Sequence, residues 1–302
     1  MTETFKAYLQ SEGKSRSTVD RYWQHVIHFI NWLDQDGTDV EDTTAKEVLS
    51  YLHELQKQGD GNVTRNLKLN AIRQFFNYQI KHGYRRGNPI QHLKLQGTKT
   101  RKLYPILSAQ ELAELHHQYI TKDRPNRERN KLILSLMVHQ GLTTTEVNHL
   151  QVHDLNLREG TLYIAGSRKS NERTLELKSH QMLDLMNYSY QLRPQLLELQ
   201  QVPGSTYLFL ASPQSGKARE VVFRGRERLQ VWKGLSKELQ SQHTKFINFK
   251  QVRASVITHW LKQYNLREVQ YMAGHRYVSS TEAYLVNQID DLQHDIDKYH
   301  PL

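Results

Sequence analysis

Residues 250–284 read KQVRASVITHWLKQYNLREVQYMAGHRYVSSTEAY. Lys250 and Arg253 are three apart, so on a helix they share a face. His275 follows Gly274, a residue suited to a tight helix stop. Nine residues after His275 comes Tyr284, expected just inside a new helix that Ser279 caps with Glu282 at the box position. Two cations, an imidazole and a phenol are what an attack on a phosphodiester without a metal requires. Taken alone, a Tyr in Glu-Ala-Tyr-Leu usually packs, and a His after Gly usually makes a helix-end contact. Only the joint spacing shifts the balance.

The rest of the composition agrees with a polyanion partner. Lys and Arg outnumber Asp and Glu by 41 to 31, a net charge of +10, and the isoelectric point is about 9.5. At 302 residues the chain is long enough for two domains, each with its own core. It has no cysteine, which excludes disulfides and thiolate zinc sites and fits an intracellular protein. The N-terminus carries no apolar signal-like run, and no segment is long enough to span a membrane. His149 and His153 share a helix face, but two histidines without cysteine or a nearby acidic pattern read as surface, so no metal is expected. No Gly-rich nucleotide loop occurs either, and no cofactor is expected.

Residues 1–90 read as short helices. Ser17 with Asp20 opens the second, along which Val19, Tyr22, Val26, Ile30 and Leu33 recur at helical spacing until Asp36-Gly37. Thr44 and Glu47 form a capping box before Val48, Leu49, Leu52 and Leu55. After Gly59-Asp60-Gly61 a further helix runs from about Val63 to His82, with Leu67, Ile72, Phe75, Phe76 and Ile80 as its buried side, and Asn88-Pro89 closes the segment. Thr64, Arg65, Asn66, Lys68 and Arg73 on that helix read either as a solvated face or as cations and amides set against DNA. Residues 91–106, with Lys94, Lys99, Arg101 and Lys102, read as a basic linker, and Ser108 with Glu111 starts the next helix.

The 250–284 stretch resembles the catalytic core of the tyrosine recombinases, the phage-integrase family. The family pattern is His/Lys-x-x-Arg, then Leu-Gly-His/Trp, then Tyr nine residues on; Ala273 stands here for the usual Leu. The resemblance covers nearly the whole chain and is strongest from Asn248 to Leu285. It implies a mainly α fold with a small antiparallel β-sheet, in two domains. Residues 1–90 would be an N-terminal helical core-binding (SAM-like) domain, 91–106 a linker, and 107–302 the tyrosine-recombinase catalytic domain with a tail helix.

Within the second domain, Asn130–Leu150 has a buried-helix composition ending at Gly141. Where the family reads Gly-Leu-Arg-x-x-Glu-Leu, this chain reads Gly141-Leu142-Thr143-Thr144-Thr145-Glu146-Val147, so Thr143 replaces the first catalytic arginine. Candidate replacement cations are Arg127, Arg129 and Arg168. Thr161–Ile164 and Thr174–Leu177 read as strands of a hairpin with a cationic tip at residues 166–173. The family carries its catalytic lysine in such a hairpin. Alignment on Glu172-Arg173 puts Arg168 on that position and Lys169 beside it, and one residue of slip restores the lysine, which favours Lys169. A helix from His180 to Gln200, a strand at Tyr207–Leu210 and a basic helix over Val222–Lys237 bearing Arg224, Arg226, Arg228 and Lys233 follow. The tail 287–302 reads as an acidic amphipathic helix.

The resemblance assigns Tyr284 as the nucleophile, Arg253 to the non-bridging oxygens, Lys169 to the leaving 5′ oxygen, and Lys250 and His275 to the phosphate or the tyrosine proton. It implies a double-stranded DNA site as partner, a homo-oligomer (tetramer) on DNA joined through the tail, and a bacterial cytoplasmic, nucleoid-associated location. Three functions stay open at this point: a recombinase or integrase, a recombinase-derived DNA-binding protein weakened by Thr143, and a type IB topoisomerase-like enzyme.

Overall fold

A computed structural model of the chain describes residues 2–96, 104–121, 124–211 and 231–285. Its contacts divide into two units, Met1–Lys102 and Leu103–Leu302.

Among its described residues the first unit has four helices: α1 (Thr2–Ser11), α2 (Arg16–Asp36), α3 (Ala45–Lys57) and α4 (Asn62–Lys81). Ser15, rather than Ser17, caps α2, accepting from the Thr18 amide, and Gly37 ends it in the left-handed region. The Thr44/Glu47 box opens α3 as expected. Phe5, Leu9, Val26, Phe29, Leu33, Tyr51, Leu52, Ile72 and Phe76 form the core. Leu49 and Leu67 are exposed; on α4 the buried stripe is Leu69, Ile72, Phe75, Phe76 and Tyr78. Ile90, Leu93 and Leu95 pack on this core, so residues 90–96 belong to the first unit instead of running free. Asn88 ends the segment by donating from Nδ2 to the Arg73 carbonyl (3.0 Å) and to Asn77 Oδ1 (2.7 Å).

The second unit contains α5 (Ala109–His117), α6 (Arg124–Gln140), α7 (Thr144–His149), α8 (Ser179–Asn187), α9 (Arg193–Gln200), α10 (Trp232–Gln242), α11 (Phe249–Leu261), α12 (Leu266–Ala273) and α13 (Val278–Glu282). A three-stranded antiparallel sheet, β1 (Leu155–Asn156), β2 (Thr161–Ile164) and β3 (Arg173–Glu176), lies between α7 and α8 in sequence, in the order β1-β2-β3. Its inner residues Leu162, Ile164 and Leu175 join Ile133, Met137, Leu142, Leu208, Leu210, Leu239 and Val256 in one core. The mainly helical two-domain expectation and its small sheet therefore hold.

Three local expectations fail, each for a local reason. Tyr207–Leu210 forms no strand; Tyr207 makes a single bridge to Gln151, and Leu208–Leu210 sink into the core. The 180–200 helix is broken by a π turn at Tyr188–Leu192, just ahead of Pro194, which has no amide to continue the ladder. Tyr277, not Ser279, stands at the start of α13, so the helix ends at Glu282 and Tyr284 lies just beyond it. The tail helix and the 222–228 part of the basic run, with Arg224 and Arg226, lie outside the described residues. Among the described residues no helix is long and apolar enough to cross a membrane.

Candidate active site

The site begins at the N-terminus of α11. Asn248 caps it by accepting from the Lys250 and Gln251 amides at 3.0 and 3.1 Å. Lys250 is therefore fixed by its backbone in the first turn, with its side chain exposed. One turn later Arg253 points inward, its side chain 13% exposed. Its Nη1 donates to the Gly141 carbonyl at the end of α6 and its Nη2 to the Ala273 carbonyl at the end of α12, the latter at 2.6 Å. The fork thus joins the ends of two helices, a geometry that a lysine cannot reproduce. Gly141 has φ of +61°, and a Cβ there would meet the Trp260 ring at 3.0 Å, so the approach depends on glycine.

Beneath Arg253 lies Glu146. Thr143 and Glu146 form the capping box of α7, with the Thr143 amide and hydroxyl donating to Oε2 at 2.8 and 2.9 Å. The same oxygen is 3.8 Å from Arg253 Nη1. Glu146 Oε1 accepts from Arg173 Nη1 at 2.7 Å, and the Arg173 side chain has no exposed surface. Burial alone pushes the Glu146 carboxyl up; the hydrogen bond and charge of Arg173, with the charge of Arg253, outweigh it and leave the group below its usual range. Burial draws the Arg253 guanidinium below its ordinary value, Arg173 adds to that, and Glu146 and Tyr284 oppose it. Arginine nonetheless stays cationic at any pH at which a protein is folded.

Tyr284 completes the patch. Its ring packs on Ile257, Val269 and Ala273 and lies nearly parallel to the His275 ring, with centroids 5.9 Å apart and planes at 7°. The His275 ring is oriented by a 2.9 Å hydrogen bond between Nδ1 and Thr281 Oγ1, and Thr281 is fully buried. Gly274 has φ of +65°, the left-handed conformation that stops α12 and turns His275 toward the tyrosine. A Cβ on Gly274 would overlap the Arg173 guanidinium.

The β2–β3 hairpin is tied to this turn. Ser170 bridges to His275, the Asn171 amide donates to the Gly274 carbonyl at 3.0 Å, and Arg276 Nη1 donates to the Arg168 carbonyl at 3.0 Å. The exposed Arg168 and Lys169 are thereby carried at the edge of the Gly274–His275 turn. Arg253, His275 and Tyr284 meet on one patch, the hairpin borders it, and Lys250 sits in the solvent-facing first turn of the helix that carries Arg253.

Several other cations expected from the sequence to meet DNA or phosphate prove to be braces. Arg65 is buried; its guanidinium donates to the Leu52 carbonyl (3.3 Å), Gln56 Oε1 (2.9 Å) and Asn62 Oδ1, so it clamps α4 to α3 and is not a solvent-facing phosphate ligand. Lys68 pairs with Asp60 at 2.7 Å with 14% of its side chain exposed, and Arg73 is turned onto the Ile90 and Leu93 carbonyls. Thr64 is exposed and Asn66 half-buried on α4. Arg129 is buried against Asn130 and the Leu210 carbonyl, and Arg127 faces Glu128. Sequence reasoning misses the buried Glu146–Arg173 ion pair beneath Arg253. Glu146 carries a legible signal, the Thr-x-x-Glu box; Arg173 does not, since an arginine at the end of an exposed hairpin reads as surface.

Comparison with known proteins shows the family and the fold. The sequence pattern described as phage integrase family matches residues 105–290, and that of the phage integrase N-terminal SAM-like domain matches residues 2–83. Tyrosine recombinase XerC of Oceanobacillus iheyensis is 27% identical over 305 residues, covering 99% of this chain and 95% of that protein. Tyrosine recombinase XerA of Pyrococcus furiosus is 26% identical over 286 residues, covering 93% and 87%. Among solved structures, XerH site-specific recombinase bound to difH substrate in a pre-cleavage complex has the same fold, with a TM-score of 0.67 at 17% identity over 88% of this chain and 76% of that one. The two matched patterns account for both units, and the chain belongs to the phage integrase family.

Proposed function

We propose that the chain is a site-specific DNA recombinase that cleaves and rejoins duplex DNA through a 3′-phosphotyrosyl intermediate. The observation that carries this is the meeting of the Tyr284 phenol, the His275 imidazole and the Arg253 guanidinium on one patch bordered by a basic hairpin. Tyr284 Oη attacks phosphorus, the P–O5′ bond breaks, the phenol loses its proton and the 5′ oxygen gains one. The bond energy stays in the phosphotyrosyl link, so rejoining by another 5′-hydroxyl requires no nucleotide. Arg253 holds non-bridging oxygens, His275 and Lys250 hydrogen-bond the phosphate or pass the tyrosine proton, and Lys169 protonates the leaving oxygen. Thr64 and Asn66 are the α4 groups that face DNA. The acting species is a tetramer on DNA, joined through the 287–302 segment, in the bacterial cytoplasm with the nucleoid.

Thr143 stands where the family places its first arginine, and a hydroxyl offers one neutral hydrogen bond where that arginine offers a charged fork. Loss of one preorganised donor costs roughly 10²–10³ in rate, which makes a slow enzyme. Of the three arginines considered as substitutes, Arg168 is favoured by its place, exposed on the hairpin tied to His275, whereas Arg129 is buried against the Leu210 carbonyl. Arg173 is too buried to touch a phosphate and acts as a positioning residue beneath Arg253.

The test is a duplex nicked near the scissile phosphate, from which a short cleaved strand diffuses away. The expected result is a denaturation-resistant protein–DNA adduct. Tight binding with no adduct favours a DNA-binding protein with a decayed site, and relaxation of one duplex without exchange between two favours the topoisomerase-like reading.

The same substrate separates Lys169 from Arg168. With sulfur in place of the bridging 5′ oxygen, the leaving group has an acidity near that of a thiol, about 8.5, and needs no proton donor. Lys169→Ala is expected to cut adduct formation on the ordinary substrate and to recover on the sulfur substrate. Arg168→Ala is expected to stay slow on both. The opposite pattern moves the acid role to Arg168.

A further inference from the structure

The second unit contains a histidine cluster that the reaction above does not use. His116 lies in the last turn of α5, His139 in the last turn of α6, and His180 in the first turn of α8. One ring nitrogen from each lies within 4.8 Å of the other two. Ring centroids are 5.7 Å apart for His116 and His139, 5.1 Å for His139 and His180, and 6.1 Å for His116 and His180. His116 is 6% exposed, His139 half-buried and His180 exposed. His139 Nε2 is buried with no hydrogen-bond partner among the described residues, and the buried His116 ring has only the Ala113 backbone of its own helix as a hydrogen-bonding group. Buried polar atoms without partners are rare and call for an explanation. His180 opens onto a cleft of about 720 Å³ whose wall also carries His117, Asp184, Glu128 and Lys131.

We propose that His116, His139 and His180 form a site for a divalent d-block cation of the zinc type, with the fourth position open to the cleft. Three imidazoles and one open position are a common zinc ligand set. A tetrahedral ion with Zn–N bonds near 2.1 Å holds its nitrogens roughly 3.4 Å apart, so nitrogens now within 4.8 Å of one another need to close in by at most about 1.4 Å on binding. The exposed His180 ring has the freedom to make that movement. The ion would staple α5, α6 and α8 together, two residues before the Gly141 carbonyl that receives Arg253. This proposal does not depend on the recombinase reading.

The test uses the full chain, prepared without a metal-affinity tag and stripped with EDTA. Zn²⁺ titration by calorimetry at pH 7.5 is expected to show one tight site, Co²⁺ to give visible bands of tetrahedral intensity, and saturating Zn²⁺ to raise Tm by about 5–10 °C. His180→Gln, a change at an exposed position that leaves the core intact, should weaken binding at least ~100-fold, beyond the usual cost of losing an outer-shell partner. His139→Gln should do the same, and the surface change His153→Gln should have no effect. Absence of stoichiometric Zn²⁺ binding, or equal affinity in wild type, His139→Gln and His180→Gln, would overturn the proposal and leave the rings as neutral packing.

Discussion

Replacing Tyr284 with Phe is expected to abolish the covalent DNA adduct and to leave duplex binding unchanged. Only the hydroxyl is deleted, while the ring that packs on Ile257, Val269 and Ala273 and lies parallel to His275 is kept, so the apolar contacts of residue 284 persist. Arg253→Ala is the companion test. It removes the charged fork proposed to meet the phosphoryl oxygens, and an adduct rate lower by about 10²–10³-fold or more is expected. Binding is expected to persist, since most affinity for a duplex comes from contacts spread along its backbone. Arg253→Lys should recover little of the rate: one ammonium cannot span the Gly141 and Ala273 carbonyls as the guanidinium does. Adduct yield on a denaturing gel and fluorescence anisotropy on the same nicked duplex separate the two quantities. An Arg253→Ala variant with undiminished adduct would remove that residue from the site.

Much of this arrangement is legible in the sequence because its parts are local. The Lys250, Arg253, His275 and Tyr284 spacing spans less than forty residues, and capping boxes at Thr44 and Ser108 mark helix starts through side chains three apart. Ranking α4 cations by charge alone fails. Arg65, Leu69, Ile72 and Phe76 fall at i, i+4, i+7 and i+11, so Arg65 lies on the apolar stripe, and its burial follows from the same periodicity that locates the core. Tertiary contacts are beyond such reading. Arg173 and Glu146 are 27 residues apart, and His116, His139 and His180 come from three helices; no spacing rule joins them. Tyr284 reads as part of a helix instead of its end because Ser279 imitates a cap, whereas the chain turns into α13 at Tyr277.

Arg173→Met should be the most destabilising single change in the second unit outside its apolar core. The side chain is wholly buried, and its loss leaves the Glu146 carboxylate, 10% exposed, without its closest partner. Breaking a buried pair from one side costs about 3–5 kcal/mol, and the lower end is expected because Arg253 still faces the carboxylate at 3.8 Å. The pH dependence gives the sign. In wild type the Glu146 carboxyl is held below its unfolded value, so the pair contributes stability above that value and loses it as pH falls through the lowered one. In Arg173→Met burial acts unopposed by that guanidinium and pushes the carboxyl up, so the variant carries its largest deficit near pH 7. The deficit closes only as pH falls through the lowered wild-type value, where Glu146 becomes protonated in both folded proteins. Arg173→Met combined with Glu146→Gln removes the stranded charge and should recover much of the loss, so a double-mutant cycle by urea unfolding isolates the pair even if the single variant folds poorly. Because Glu146 also faces Arg253, Arg173→Met should lower the adduct rate without weakening DNA binding, and the double variant should regain stability more fully than rate. Equal stability of Arg173→Met and wild type across pH 4–8 would show that this buried pair does not brace the site.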